Sequence, residues 1–247
     1  MTSAVQTQRE HQQALLSLKN QLLCLWGGPA GAAGWFIGFF VIAGLFPPIS
    51  PNMPVDALKA YYLKDANALF AGCCIMMFTT PLFACMYAAI SEQLKRIEGS
   101  GAVLANAQMV LGSLMVLFFI LPAFNLGIAA FRPERSAEAI QTLSDGAWLP
   151  FVSAFQTTFW TWIVIGVAIL RDKDQKVFPR WLGHFNIWVA LSLILAGFTF
   201  FTKTGPFAWD GAAALWIVVV TFEAWFLVMF WVVRKNLREQ MRALGAG

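Results

Sequence analysis

A lone carboxylate set in hydrocarbon has the most chemistry to offer in this sequence. Glu223 stands within the run VVVTFEAWFLV, with apolar side chains on both sides. An acid at the centre of a membrane-length apolar run is costly unless it is neutral or paired, so Glu223 is expected to face the interior of a bundle. The neutral form is expected there, because desolvation penalises the charge. Helical spacing brings Trp216, Val219, Val220, Phe226, Leu227 and Phe230 towards its face. A protonated acid on an aromatic wall suits an apolar ligand carrying one hydroxyl or ketone. It equally suits a proton relay, a general acid, or an interhelical hydrogen bond that only fixes packing.

Other polar residues fall at similar depth. Thr79 and Thr80 precede Pro81 in the middle of an apolar run, where proline frees a carbonyl and kinks the helix. Gln156, followed by Thr157 and Thr158, lies towards one end of another run, and Ser192 is central in a third. Threonine and serine at such places are commonly packing glue; Gln156 is less ordinary. Trp160 and Trp216, with Trp162, Trp188 and Trp225, lie deep enough to face lipid or to wall a cavity. The expected ligand contacts are Glu223, Gln156, Thr79, Thr80, Trp216 and Trp160. Asn125, after Pro122, either lines an external mouth or caps a helix.

Several chemistries are excluded. The chain has 2 histidines, His11 and His184, too few for a histidine-rich metal site. It has no HExxH zinc motif, no GxxxxGK[ST] phosphate loop and no GxGxxG turn. Cys24, Cys73, Cys74 and Cys85 form no metal-type pair of pairs and read as small packing residues. No cofactor, no metal and no nucleic-acid partner is expected.

The elements that position these residues follow from composition. Hydrophobic residues make up 59% of the chain and charged residues 12%, against about 45–50% and about 25% in soluble domains. The apolar residues fall in six blocks, near 28–46, 66–90, 103–131, 147–170, 182–202 and 211–233. Each is close to the roughly 20 residues that cross a bilayer. Pro47, Pro48, Pro51 and Pro54 end the first, because proline cannot continue a helical ladder. The fold class is therefore all-α, a bundle of six transmembrane helices.

Alternate loops hold 12 of the 17 Lys and Arg residues, in the N-terminus, the loops after the second and fourth blocks, and the C-terminus. The positive-inside rule turns that set, and both termini, towards the cytoplasm. Residues 1–25 are a polar segment, read either as an amphipathic helix on the inner surface (Leu15, Leu16, Leu18, Leu22 and Leu23 beside Lys19) or as a frayed tail. Residues 26–234 are the membrane domain, and 235–247 a basic tail. No cleaved signal peptide is expected at the N-terminus. The pairs Gly27/Gly31 and Gly34/Gly38 predict close helix approach, inside the bundle or between subunits. Trp26, Trp148, Trp181, Trp209 and Trp231 fall near block ends, as in an interfacial belt.

Four loop segments carry a resemblance: 171–182 (RDKDQKVFPRWL), 202–211 (TKTGPFAWDG), 132–135 (RPER) and 91–99 (SEQLKRIEG). They resemble a family of small bacterial membrane proteins of the actinobacterial type, across about Trp26 to Val233. The resemblance implies a helical membrane fold in a bacterial inner membrane, and no activity comes with it. That family has a small residue near position 223, where this chain has Glu223.

Three function classes stay open. One is a binding or transport protein for a sterol, terpenoid or acyl compound, with a pocket among the second, fourth and sixth spans. The second is a membrane enzyme using Glu223 as acid or base. The third is an accessory subunit, or one protomer of a homo-oligomer, with glycine faces and deep tryptophans as interfaces.

Overall fold

The computed structural model describes residues 2–175 and 177–245. Met1, Ala246 and Gly247, at the limits of the terminal segments, lie outside the described residues, as does Lys176 of the basic loop count. The described residues form helices and no strand. Six helical stretches are long and apolar enough to cross a membrane: Gln6–Ile42, Ala66–Glu98, Val103–Phe131, Ala137–Arg171, Arg180–Phe201 and Ala212–Ala243. The protein is thus an all-α, multi-pass bundle suited to a lipid bilayer. Its even number of spans brings both termini to one end.

In chain order the regular helices are α1 (Thr2–Leu25), α2 (Gly27–Phe36), α3 (Val55–Leu63), α4 (Ala66–Thr79), α5 (Leu82–Glu98), α6 (Val103–Phe131), α7 (Ala137–Ser153), α8 (Gln156–Arg171), α9 (Arg180–Ser192) and α10 (Val218–Ala243). The α-helix of the second span stops at Thr79 and resumes after Pro81. That is the interruption expected of a mid-span proline.

The N-terminal segment is helical and continuous with the first span. α1 runs almost directly into α2 and packs against α5 and α10. Leu18 and Leu25 are buried in that contact, while Leu16 and Leu23 stay outside. Burying one leucine stripe against two neighbouring helices stabilises α1 more than wetting that stripe would. The fourth span also starts ten residues before the expected boundary, since Ser136 caps α7 by accepting from the Ala139 N–H at 3.2 Å.

Glycine sets the spacing between the first two spans. A side chain on Gly38 would stand 2.8 Å from the Gly72 carbonyl oxygen, and one on Gly72 would press on the Gly38 carbonyl in turn. The small-residue face therefore works inside the bundle.

At the termini end, buried Gln93 of α5 forms a clasp. Its amide donates to Gln21 Oε1 at 2.6 Å, and its own oxygen accepts from Gln240 at 2.8 Å, Arg96 at 3.1 Å and Asn236 at 3.3 Å. Asn236 also donates to the Val177 carbonyl at 3.0 Å. One side chain thus joins α1, α5 and α10, and through Asn236 the loop after α8. Nearby, the Glu98 carboxylate accepts the first N–H groups of α6, from Leu104 at 3.0 Å and Ala105 at 2.7 Å.

Candidate functional site: an aromatic cavity at Glu223

Regular helix gives way at the other end. The first span finishes as a π-helical stretch, Ile37–Ile42, and the sixth begins with another, Ala212–Ile217. The fifth tightens into the 3-10 stretch Leu193–Phe201. The fourth breaks between α7 and α8, at Ala154 and Phe155. Backbone that departs from the α-helix at membrane depth is tolerated where it is buried in protein or lines a cavity, and π-helical turns often mark functional sites.

All four irregular stretches border one cavity of 390 Å³, within the usual range of small-molecule sites, about 300–1,000 Å³. The first span contributes Ala32, Trp35, Phe36, Phe39 and Phe40. The fourth adds Trp148, Phe151, Phe155 and Thr158; the sixth adds Leu215, Trp216, Val219, Phe222 and Glu223. Phe83, Phe119 and Leu193 close the floor from the second, third and fifth spans. Half of the lining residues are aromatic. They pack on one another: Trp35 stacks on Phe151 at 5.4 Å and 4°, and meets Phe119 edge-on at 5.0 Å.

Most of this wall is buried or half-buried. Four lining residues are exposed: Phe36, Phe40, Trp216 and Glu223. All four lie on the first and sixth spans, so the cavity is open between those spans. Phe46, in the loop after the first span, links the two sides of that opening. Its ring lies 5.5 Å from Phe40 and 5.9 Å from Trp216.

Glu223 makes no hydrogen bond or ion pair with any described residue. The basic residue nearest to it along α10, Arg234, is eleven positions away, about 16 Å of helix. The Arg234 guanidinium lies over the rings of Trp26, at 5.6 Å, and Phe230, at 5.7 Å. Among the remaining lining residues Thr158 is the only one with a hydroxyl, and no described residue bonds it.

The six expected contacts separate. Glu223 and Trp216 line the cavity together. Thr80 stands behind the wall, accepting the Trp35 indole N–H at 2.7 Å and donating to the Met76 carbonyl at 2.6 Å. It fixes a cavity ring and does not face the cavity. Thr79 donates back to Ile75 within its own helix at 2.8 Å. Gln156 is exposed outside the cavity, its amide donating to the Ser153 carbonyl at 3.1 Å across the α7–α8 break. Trp160 is 55% exposed on the perimeter. The break turns Gln156 outward and Thr158 inward. The pocket expected among the second, fourth and sixth spans lies instead chiefly among the first, fourth and sixth.

Further residues find structural roles. Ser192 donates to Thr221 at 2.9 Å, and Asn125 donates to the Gly146 carbonyl at 2.8 Å, tying neighbouring spans together. Trp148 and Trp209 leave the expected interfacial belt. They are buried, stacked at 6.4 Å and 19°, with indole N–H groups on the Tyr62 hydroxyl and the Ile49 carbonyl. The cysteines are free, and no metal-binding cluster occurs among the described residues.

Comparison with family models, curated proteins and solved structures finds no match to the chain. The functional assignment therefore rests on the geometry of the site.

Proposed function

We propose that this protein binds or carries a hydrophobic small molecule, of sterol, terpenoid or acyl type, in the aromatic cavity beside Glu223. One observation carries the reading: Glu223, a carboxyl on a membrane-length helix and without a partner among the described residues, forms part of the wall of a cavity open between two spans. An acid kept only for packing would be bonded to a neighbouring helix. The aromatic wall favours the apolar body by burial, and the carboxyl orients its polar group.

Catalysis by Glu223 is the weaker reading. Acid–base chemistry generally uses a second positioned group, and Thr158 is the only other polar side chain offered. A role as accessory subunit, with Glu223 against a partner chain, would leave the cavity without a use. On the resemblance we propose a bacterial cytoplasmic membrane, and on the 12-to-5 distribution of basic residues both termini inside it.

The test is to purify the protein in nanodiscs, extract it, and identify co-purifying small molecules by mass spectrometry beside Glu223→Gln. A lipophilic compound retained by the wild type and depleted at least tenfold in the variant supports the reading. Absence of any such compound, with both proteins equally stable, contradicts it.

A further inference from the structure

We propose that the molecule taken by this cavity is a lipophilic cation, a sterol, terpenoid or long-chain acyl compound bearing an amine or quaternary ammonium group whose nitrogen sits against Glu223. The proposal rests on the cavity being a binding site and names the charge of its ligand.

Among the described residues the lining supplies one acid and no base, so none of them neutralises Glu223 when it ionises. No histidine, cysteine or tyrosine lines the cavity either. Arg234, the first base along α10, already lies over Trp26 and Phe230. A bound cation would supply the missing countercharge in a medium where an unpaired charge is costly. A neutral alcohol would offer Glu223 one hydrogen bond, and an anion would be repelled.

The rim of the opening is aromatic as well. Phe36 and Phe40 lie 5.1 Å apart on the first span, and Phe46 continues the series to Trp216 on the sixth. Aromatic faces attract cations, tryptophan most strongly, and aromatic groups with a nearby carboxylate recognise alkylammonium groups. Here that pair of features stands at the opening, where a molecule partitioned in the bilayer would meet it first, with apolar depth behind for its chain.

The experiment uses the full chain in zwitterionic phosphatidylcholine nanodiscs, with empty nanodiscs as reference. The probes are dodecyltrimethylammonium and dodecanol, below their micellar or solubility limits. The wild type should bind the cation at least tenfold more tightly than the alcohol. Glu223→Gln should erase that preference while leaving dodecanol affinity within about twofold, and Glu223→Asp should retain it. Trp216→Leu, which keeps the acid, should weaken cation binding severalfold and spare the alcohol; it serves as the second variant if Glu223→Gln does not fold. Equal wild-type affinities, or a preference that survives Glu223→Gln, would overturn the cationic assignment and leave the cavity a site for neutral lipophiles. Failure of both probes to bind saturably would overturn the binding-site reading itself.

Discussion

The two ends of the bundle solve different problems with the same material. At the termini end the helices stay regular, and a glutamine clasp ties α1, α5 and α10 together. At the other end, the first, fifth and sixth spans leave α-geometry, the fourth breaks, and the space between them stays open. In the first region the clasp amides are bonded to protein. In the second, Glu223 has no partner among the described residues. The contrast separates groups that hold the fold from groups free to meet a ligand, and it makes the two regions respond differently to mutation.

The largest effect should come from the contact that supports both regions. Gly72→Val drives a branched side chain into the Gly38 carbonyl. Overpacking of this kind costs about 3 kcal/mol, so thermal unfolding in detergent should show a large loss of stability or of folded protein. Next, Gln93→Leu removes the hub of the clasp and strands buried polar partners, costing about 1–3 kcal/mol. Proteolysis should then reach α1 sooner, while ligand binding at the distant cavity stays unchanged.

Glu223→Gln should do the reverse. With no protein partner to lose, its unfolding free energy should stay within about 0.5 kcal/mol of wild type, and occupancy of the cavity should fall at least tenfold. A strongly destabilised Glu223→Gln would mean that the acid belongs with the clasp, as a structural group. The smallest effects belong to Gln156→Ala and Trp160→Ala. Both residues lie outside the cavity, and neither substitution should alter ligand affinity measurably in an equilibrium binding assay. A tenfold loss in either would move the site.

The regular part of the fold was legible in the sequence and the irregular part was not. Apolar blocks bounded by prolines and charges located the six spans, and Pro81 marked a real interruption. Glu223 and Trp216 line the cavity, and both stand out in the sequence as a carboxylate in hydrocarbon and a ring about two helical turns from it. Phe36, Phe39, Phe151 and Phe155 were missed, since phenylalanine in a membrane span is as consistent with lipid as with a cavity. Gln156 lies outside the cavity, turned outward past a break at Ala154 that uninterrupted helical periodicity does not foresee. The π-helical and 3-10 stretches have no local signature comparable to proline.

The central claim, that the opening between the first and sixth spans admits a molecule from the bilayer to Glu223, is tested most directly by photo-crosslinking. A diazirine-bearing long-chain amine, activated in nanodiscs and mapped by peptide mass spectrometry, should label Phe36, Phe40, Trp216 and Phe222, and excess unlabelled amine should suppress those adducts. Labelling spread over the perimeter of α6, at Val110, Leu114 and Leu121, and insensitive to competition, would contradict the account.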